Sequence, residues 1–314
     1  MAENTVKKIA TRESYGNSLK ELAEEFPNLV VLDADLAAAT KTGIFRKAYP
    51  DRHIDCGIAE ANMMGVAAGL SLVGKIPFVS SFAIFAAGRA FEQVRNSIGY
   101  PHLNVKIGAT HAGITVGEDG ATHQCNEDIA LMRTIPGMVV MCPSDDVEAR
   151  AAVRAALEYE GPVYIRFGRA AVPVINDHPG YHFEIGKGTV VREGKDVTIV
   201  ATGICVDSAL GAAKMLEEEG ISAEVVNICT IKPLDEEIII NSAKKTGKVV
   251  TVEEHSVIGG LGSAVCDCLC ANHPVPVKKV GMQDVFGESG SAVALVEKYG
   301  LDAKGVYKSV KEFL

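Results

Sequence analysis

Short runs of β-branched and aliphatic residues recur along the chain, separated by longer stretches whose apolar positions repeat with a helical period. The runs predict strands over residues 29–32, 76–79, 105–107, 138–141 and 163–165. The amphipathic, alanine-rich stretches between them predict helices over 11–25, 60–73, 88–97 and 145–158. Ser144-Asp145-Asp146 ahead of Val147 reads as an N-cap followed by acidic first-turn residues. Between Val172 and Gly188 the periodicity stops, and Pro173, Pro179, Gly180, Gly186 and Gly188 punctuate a linker. A second alternation follows, with strands over 197–200, 223–226, 249–252 and 277–280 and helices over 206–219, 235–244, 262–271 and 291–299. Strand–helix alternation is the pattern of a parallel sheet. The expected fold is therefore α/β, with two consecutive domains, 1–172 and 191–314, each a mainly parallel sheet flanked by helices and joined through 173–190.

A length of 314 residues agrees with two domains at roughly 150 residues each. With 47% hydrophobic residues the chain has material for a core that needs no metal or disulfide staple. Lys and Arg number 31 against 40 Asp and Glu, a net charge of −9, which argues against nucleic acid or an anionic membrane as the main partner. The first eleven residues hold no continuous apolar core, and no run of about 18 apolar residues follows. Neither a signal peptide nor a spanning helix is expected, and the location expected is cytoplasmic. The eight cysteines lie mostly in apolar runs such as Val139-Val140-Met141-Cys142, which suits reduced core thiols.

Three segments could carry chemistry. Glu60 opens a long apolar helix; it reads either as a first-turn glutamate favouring the helix dipole or as a carboxyl set among apolar neighbours to donate its proton. Phe82 and Phe85, three apart directly after a strand, read either as core or as the wall of a ligand site at the sheet's carboxyl edge. The segment Thr110–Gln124 packs two histidines, two acids and three glycines into one loop after a strand, and histidine is the usual proton-transfer group near neutral pH. Its His/Cys/acid spacing matches no zinc or iron pattern, so no metal ligand is assigned. Cys266, Cys268 and Cys270 do not converge on one helix face and read as thiols, not as a metal site. Gly259-Gly260-Leu261-Gly262 lacks the dinucleotide spacing and reads as a tight strand-to-helix turn.

Taken together, these segments resemble the transketolase family of thiamine diphosphate enzymes, specifically its C-terminal half. The anchors run in family order along the chain: Ala10-Thr11-Arg12, Asp33-Ala34-Asp35, Gly57-Ile58-Ala59-Glu60, Ser81-Phe82 with Phe85, Gly117-Glu118-Asp119-Gly120 followed by His123, and Pro143-Ser144-Asp145. Ile231-Lys232-Pro233-Leu234-Asp235, Thr251-Val252-Glu253-Glu254-His255 and the Gly259–Gly262 turn complete the set. The resemblance implies a pyrimidine-binding domain followed by a transketolase C-terminal domain. The family's GDG…N motif for the cofactor diphosphate and Mg²⁺ is not found. The resemblance therefore implies one subunit of a split enzyme, with diphosphate and Mg²⁺ held by an N-terminal partner subunit, in a heterotetramer or with self-association into a homodimer.

The resemblance also implies roles residue by residue. Glu60 matches the glutamate that hydrogen-bonds the aminopyrimidine ring and so helps that ring take the thiazolium proton. Phe85 matches the aromatic stacked on the pyrimidine, and Phe82 lines the same pocket. His123 would contact the sugar's oxygens and assist proton transfer, Asp119 the C2 hydroxyl, and His111 the distal end. Arg12 and Arg166 match arginines that clamp a substrate phosphate. One departure concerns the terminal group: Ala39 stands where many transketolases carry a phosphate-binding serine, which leaves phosphate or sulfonate open. The implied activity is transfer of a two-carbon ketol unit from a ketose phosphate to an aldose phosphate. The alternatives are a deoxyxylulose-phosphate-synthase-like or 2-oxo acid dehydrogenase β-type subunit, and a non-catalytic assembly subunit.

Overall fold

The computed structural model describes residues 7–314. Its strands are β1 (Lys8–Ala10), β2 (Leu29–Asp33), β3 (His53–Asp55), β4 (Ile76–Phe82), β5 (Lys106–Thr110), β6 (Val139–Met141), β7 (Val163–Arg166), β8 (Ala171–Pro173), β9 (Thr189–Arg192), β10 (Val197–Ala201), β11 (Ala223–Asn227), β12 (Thr230–Lys232), β13 (Val249–Ser256) and β14 (Val277–Met282). A seven-stranded sheet runs β12-β6-β7-β5-β4-β2-β3, parallel except for β12 at its edge. A five-stranded sheet runs β14-β13-β10-β11-β9, parallel except for β9. Strands β2, β5, β7 and β10 are buried along their whole length. A parallel sheet covered by helices on both faces leaves no wet face, which is why these segments read as continuous apolar runs.

The helix over 145–158 begins at Asp146, and Asp145 is its cap, accepting the Glu148 N–H at 2.9 Å. The expected helix over 88–97 is replaced by two wide-turn helical segments, Ile84–Arg89 and Val94–Gly99, flanking the turn Phe91–Gln93. The apolar face of Ala83, Ala86, Ala87 and Ala90 is buried, which draws the helical path back to Ile84 and brings Phe85 into it. A C-terminal helix, Ala303–Phe313, has no counterpart among the expected elements; Asp302 caps it and Val306 and Val310 bury its inner face.

The proline- and glycine-rich stretch after Val172 is not a free tether. β8 pairs antiparallel with β1, and the Ile175 and Asn176 N–H groups donate to Asp145 Oδ2 at 2.7 and 2.8 Å. The two sheets also share material. β12 leaves the second domain to pair with β6, and one apolar cluster joins Val79, Ile107 and Met132 to Val200, Val226 and Leu261. The glycine turn 259–262 opens the helix Leu261–Asn272, whose first N–H groups, from Leu261 and Gly262, donate to Glu253 at 2.7 and 2.8 Å. That carboxylate fills the place an anion would take. Of the cysteines, five are buried, Cys56 and Cys266 are partly exposed, Cys270 is exposed, and none is paired.

Candidate active site

The carboxyl ends of β3, β4 and β5 lead into Glu60, into Phe82 with Phe85, and into His111 with the segment to His123, at the edge where open α/β sheets bind ligands. β4 ends on Phe82, and Phe85 follows on the wide-turn segment. Their rings lie parallel, 10° apart, with centroids separated by 6.0 Å. His111, after β5, stacks on Phe82 at 3.9 Å, and the His123 ring meets Phe85 edge-on at 5.5 Å. Glu60 is the first residue of the helix Glu60–Leu72 and is 2% exposed. Arg89 donates to Glu60 Oε2 at 3.4 Å while its guanidinium lies 5.2 Å over the Phe85 ring. One arginine thus ties the buried carboxyl to the aromatic pair.

A cationic group adjoins this pair. Arg12, in the first turn of the helix Thr11–Leu22, donates to the Ala39 carbonyl at 2.9 Å and to His111 Nε2 at 3.2 Å. Since a guanidinium only donates, His111 Nε2 accepts and its Nδ1–H donates to Thr110 Oγ1 at 2.9 Å. Burial first, then the charges of Arg12, Arg169 and Lys41, push the His111 imidazole down to about 3. It is therefore neutral at physiological pH. Burial and the nearby Arg169 charge also lower Arg12. Buried Asp33 accepts from Thr40 and Thr42 at 2.9 and 2.8 Å and from the Leu36 N–H, and so shapes the turn that aims the Ala39 carbonyl at Arg12. Asp119, half-exposed, lies 3.9 Å from Arg169, and His123 Nδ1 shares a 3.0 Å hydrogen bond with Thr122 Oγ1.

Arg166 requires a correction. It ends the buried strand β7, and its Nε donates to Asp128 at 2.9 Å while Nη2 donates to the Cys125 and Glu254 carbonyls at 3.2 and 2.7 Å. Tyr164 donates to the same Asp128 oxygen at 2.8 Å. A guanidinium 5% exposed and committed in this way neutralises Asp128 and is not free to clamp a substrate. Arg169, three residues on, stands in the loop beside Arg12, His111 and Asp119, donating to the Val116 carbonyl and facing Glu118 at 3.3 Å. It was missed, although the apolar run Val163–Ile165 signals that Arg166 continues a buried strand and that Arg169 is the first arginine in the loop. Arg89 was missed too, because its partners converge only across the helical path. Among the described residues no cluster of three His, Cys, Asp or Glu groups could hold a metal ion.

Residues 7–174 match the family description "Transketolase, pyrimidine binding domain", and residues 186–306 match "Transketolase, C-terminal domain". The chain belongs to the transketolase family. It is 52% identical over 96% of its length to a putative transketolase C-terminal section of Methanocaldococcus jannaschii, covering 95% of that protein. It is 50% identical over 96% of its length to a 6-deoxy-6-sulfo-D-fructose transketolase subunit of Clostridium sp., covering 93% of it. A solved structure described as a split-gene transketolase, an inactive β4 tetramer, is similar with a TM-score of 0.89 at 58% identity, covering 98% of both chains. The chain spans only 47% of the one-chain transketolase of Campylobacter jejuni, to which it is similar with a TM-score of 0.82 at 26% identity. Its match extends over nearly the whole of that split-gene transketolase chain and of the C-terminal section from Methanocaldococcus jannaschii.

Proposed function

We propose that the chain is the C-terminal subunit of a thiamine-diphosphate-dependent transketolase that moves a two-carbon ketol unit from a ketose phosphate to an aldose phosphate, active with an N-terminal subunit that holds the diphosphate and Mg²⁺. The observation that carries this is the pairing, through Arg89, of the buried Glu60 carboxyl with the parallel Phe82 and Phe85 rings. A flat heteroaromatic ring with polar edge atoms fits that arrangement: the rings offer a stacking face and the carboxyl an edge partner. When bound, thiamine diphosphate supplies an electron sink for carbon–carbon bond cleavage.

The chain's own residues do the rest. Glu60 hydrogen-bonds the ring edge and shares a proton with it, and Phe85 and Phe82 fix the ring's plane. His123 stands edge-on to Phe85, where it can give or take a proton at the sugar's oxygens, and Asp119 accepts from a sugar hydroxyl. Arg12 and Arg169, with Lys41 beside them, attract and orient the terminal anion. Neutral His111 holds the Arg12 guanidinium in place and gives the distal end of the sugar a flat wall. Ala39 offers this anion no side-chain hydroxyl, and a relative at 50% identity is named for a sulfonated sugar. Sulfonated ketoses therefore belong beside phosphorylated ones as donors.

The test is ketol transfer by the chain alone and mixed with its N-terminal subunit, thiamine diphosphate and Mg²⁺, with phosphorylated, sulfonated and unmodified ketose donors. Turnover is expected only in the mixture, and Glu60→Ala is expected to lower it by about 10²-fold or more. Full turnover by the Glu60 variant, or by the chain alone, overturns the reading. A relative at 40% identity is a 1-deoxy-D-xylulose-5-phosphate synthase of Heliobacterium modesticaldum, so pyruvate completes the donor panel; turnover of pyruvate alone would move the chain to that chemistry.

A further inference from the structure

Segment 113–124, which carries Asp119 and His123, belongs to the first domain by sequence but is held by the second. Glu254, on β13, accepts the Thr115 N–H on Oε1 at 2.7 Å, with its carboxylate beneath the start of the segment. The approach is close enough that a Cβ on Gly113, at φ +73°, would collide with that carboxyl. Further along, Gln124 Nε2 donates to the Ile114 carbonyl at 3.2 Å and to the Glu288 carbonyl of the second domain at 2.9 Å. Gly120, at φ +74°, leaves room only for Ser289, and Gly117 lies against the Gly290 carbonyl. The segment is thus gripped at Thr115, Gly120 and Gln124, on both sides of Asp119 and His123.

Glu254 is itself fixed. It is 3% exposed, its backbone carbonyl accepts from Arg166, and its carboxylate lies 4.0 Å from the same guanidinium. Arg166 is in turn anchored on Asp128 at 2.9 Å. A buried carboxylate this committed has one free geometric consequence: it sets where the Thr115 backbone stands.

We propose that Glu254 is a positioning residue for segment 113–124, through which the second domain sets the placement of Asp119 and His123. The effect on the reaction rests on the transketolase reading above; the effect on the segment does not. Losing the Thr115 bond lets the segment sample positions in which Asp119 and His123 miss the sugar, and a displacement near 1 Å is enough to slow a positioned reaction by about 10²-fold. Glutamine in the same place keeps an acceptor oxygen for the Thr115 N–H, so the carboxamide is expected to rescue what alanine loses.

Two measurements test this on the wild type, Glu254→Ala and Glu254→Gln. In the chain alone, hydrogen exchange at the Thr115 amide is expected to quicken about tenfold or more in E254A and by no more than about threefold in E254Q. In the complex with the N-terminal subunit, kcat is expected to fall about tenfold or more in E254A, with E254Q within about threefold of wild type. Leu216→Ala, in the second-domain core cluster that also includes Ile114, loosens that core without removing a hydrogen bond to the segment; it serves as a stability control and is expected to keep kcat well below its melting temperature. Unchanged exchange at Thr115 in E254A overturns the proposal whatever the chain catalyses. Faster exchange with unchanged kcat shows that the segment's placement does not matter to the reaction and overturns it as well. An equal fall of kcat in L216A would reduce Glu254 to a packing role. A wild-type complex without turnover defeats the transketolase reading, while the exchange experiment still decides whether Glu254 positions the segment.

Discussion

Arg166 lies inside the protein against Asp128 and Tyr164, and Arg169 lies in the loop three residues later, 36% exposed. Replacing Arg166 with Leu leaves Asp128 buried without its counter-charge, a loss of about 3–5 kcal/mol. Arg169→Leu removes partly exposed ion pairs, worth under about 1 kcal/mol, and the bond to the Val116 carbonyl, worth about 1 kcal/mol; it is expected to cost less stability than the Arg166 variant and to raise KM for phosphorylated donors about tenfold. Denaturant unfolding and steady-state kinetics on the two variants check this; an Arg166 variant as stable as wild type would refute the account. His111 makes a second residue-scale prediction. The folded chain holds it neutral to about 3, whereas in the unfolded chain it protonates below about 6.5. The unfolded state therefore binds the extra proton, and this group's stabilising contribution, whole above 6.5, is lost as pH falls towards 3, on the order of 1 kcal/mol per pH unit. His111→Gln is expected to flatten that part of the stability profile; parallel profiles for the two proteins between pH 7 and 4.5 would count against it. Neither arginine's role could be assigned from residue type alone, because both are arginines near one strand end and only burial separates them.

At the scale of elements, Asp145 does more than start a helix. One carboxylate oxygen caps Asp146–Glu158 and the other accepts from Ile175 and Asn176 in the connecting stretch. Asp145→Ala removes a cap worth about 1 kcal/mol and orphans two amide groups at about 1–3 kcal/mol each if they stay buried. A net loss of up to about 3–7 kcal/mol is expected, the lower end where water reaches the freed amides, with faster protease cleavage near 174–177; unfolding curves and a cleavage time course measure both. Unchanged cleavage would mean that the stretch is held by other contacts. A cap at this helix start was legible to within one residue, because Ser-Asp-Asp before an apolar helical run has a local meaning, but the residue that caps is Asp145 and not Ser144. Its second use was not legible, since a backbone stretch some thirty residues away carries no mark of its partner. The same reason hid β1, β8 and β12: strands of three residues have too few positions to show a period, and they exist only because another strand lies alongside. The C-terminal helix was not hidden in this way: Asp302 caps it, and Val306, Tyr307, Val310 and Phe313 repeat at helical spacing with lysines between them, so its pattern is legible locally.

At the scale of the molecule, two sheets share one continuous apolar cluster, and the second domain's β12 and Glu254 reach into the first. The sequence by itself determined the two-domain α/β plan, the main strands, and the placement of Glu60 at a helix start, of Phe82 and His111 at strand ends and of His123 in the loop that follows, because hydrophobic period and strand–helix order are local and repeat along the chain. The tertiary structure decided which of Arg166 and Arg169 is buried, that Arg89 ties Glu60 to Phe85, that His111 is neutral and faces Arg12, and that the second domain grips the segment bearing Asp119 and His123. Each of these depends on groups far apart in the chain meeting in a low-dielectric interior, where burial and the neighbouring charge set protonation, direction and freedom to move.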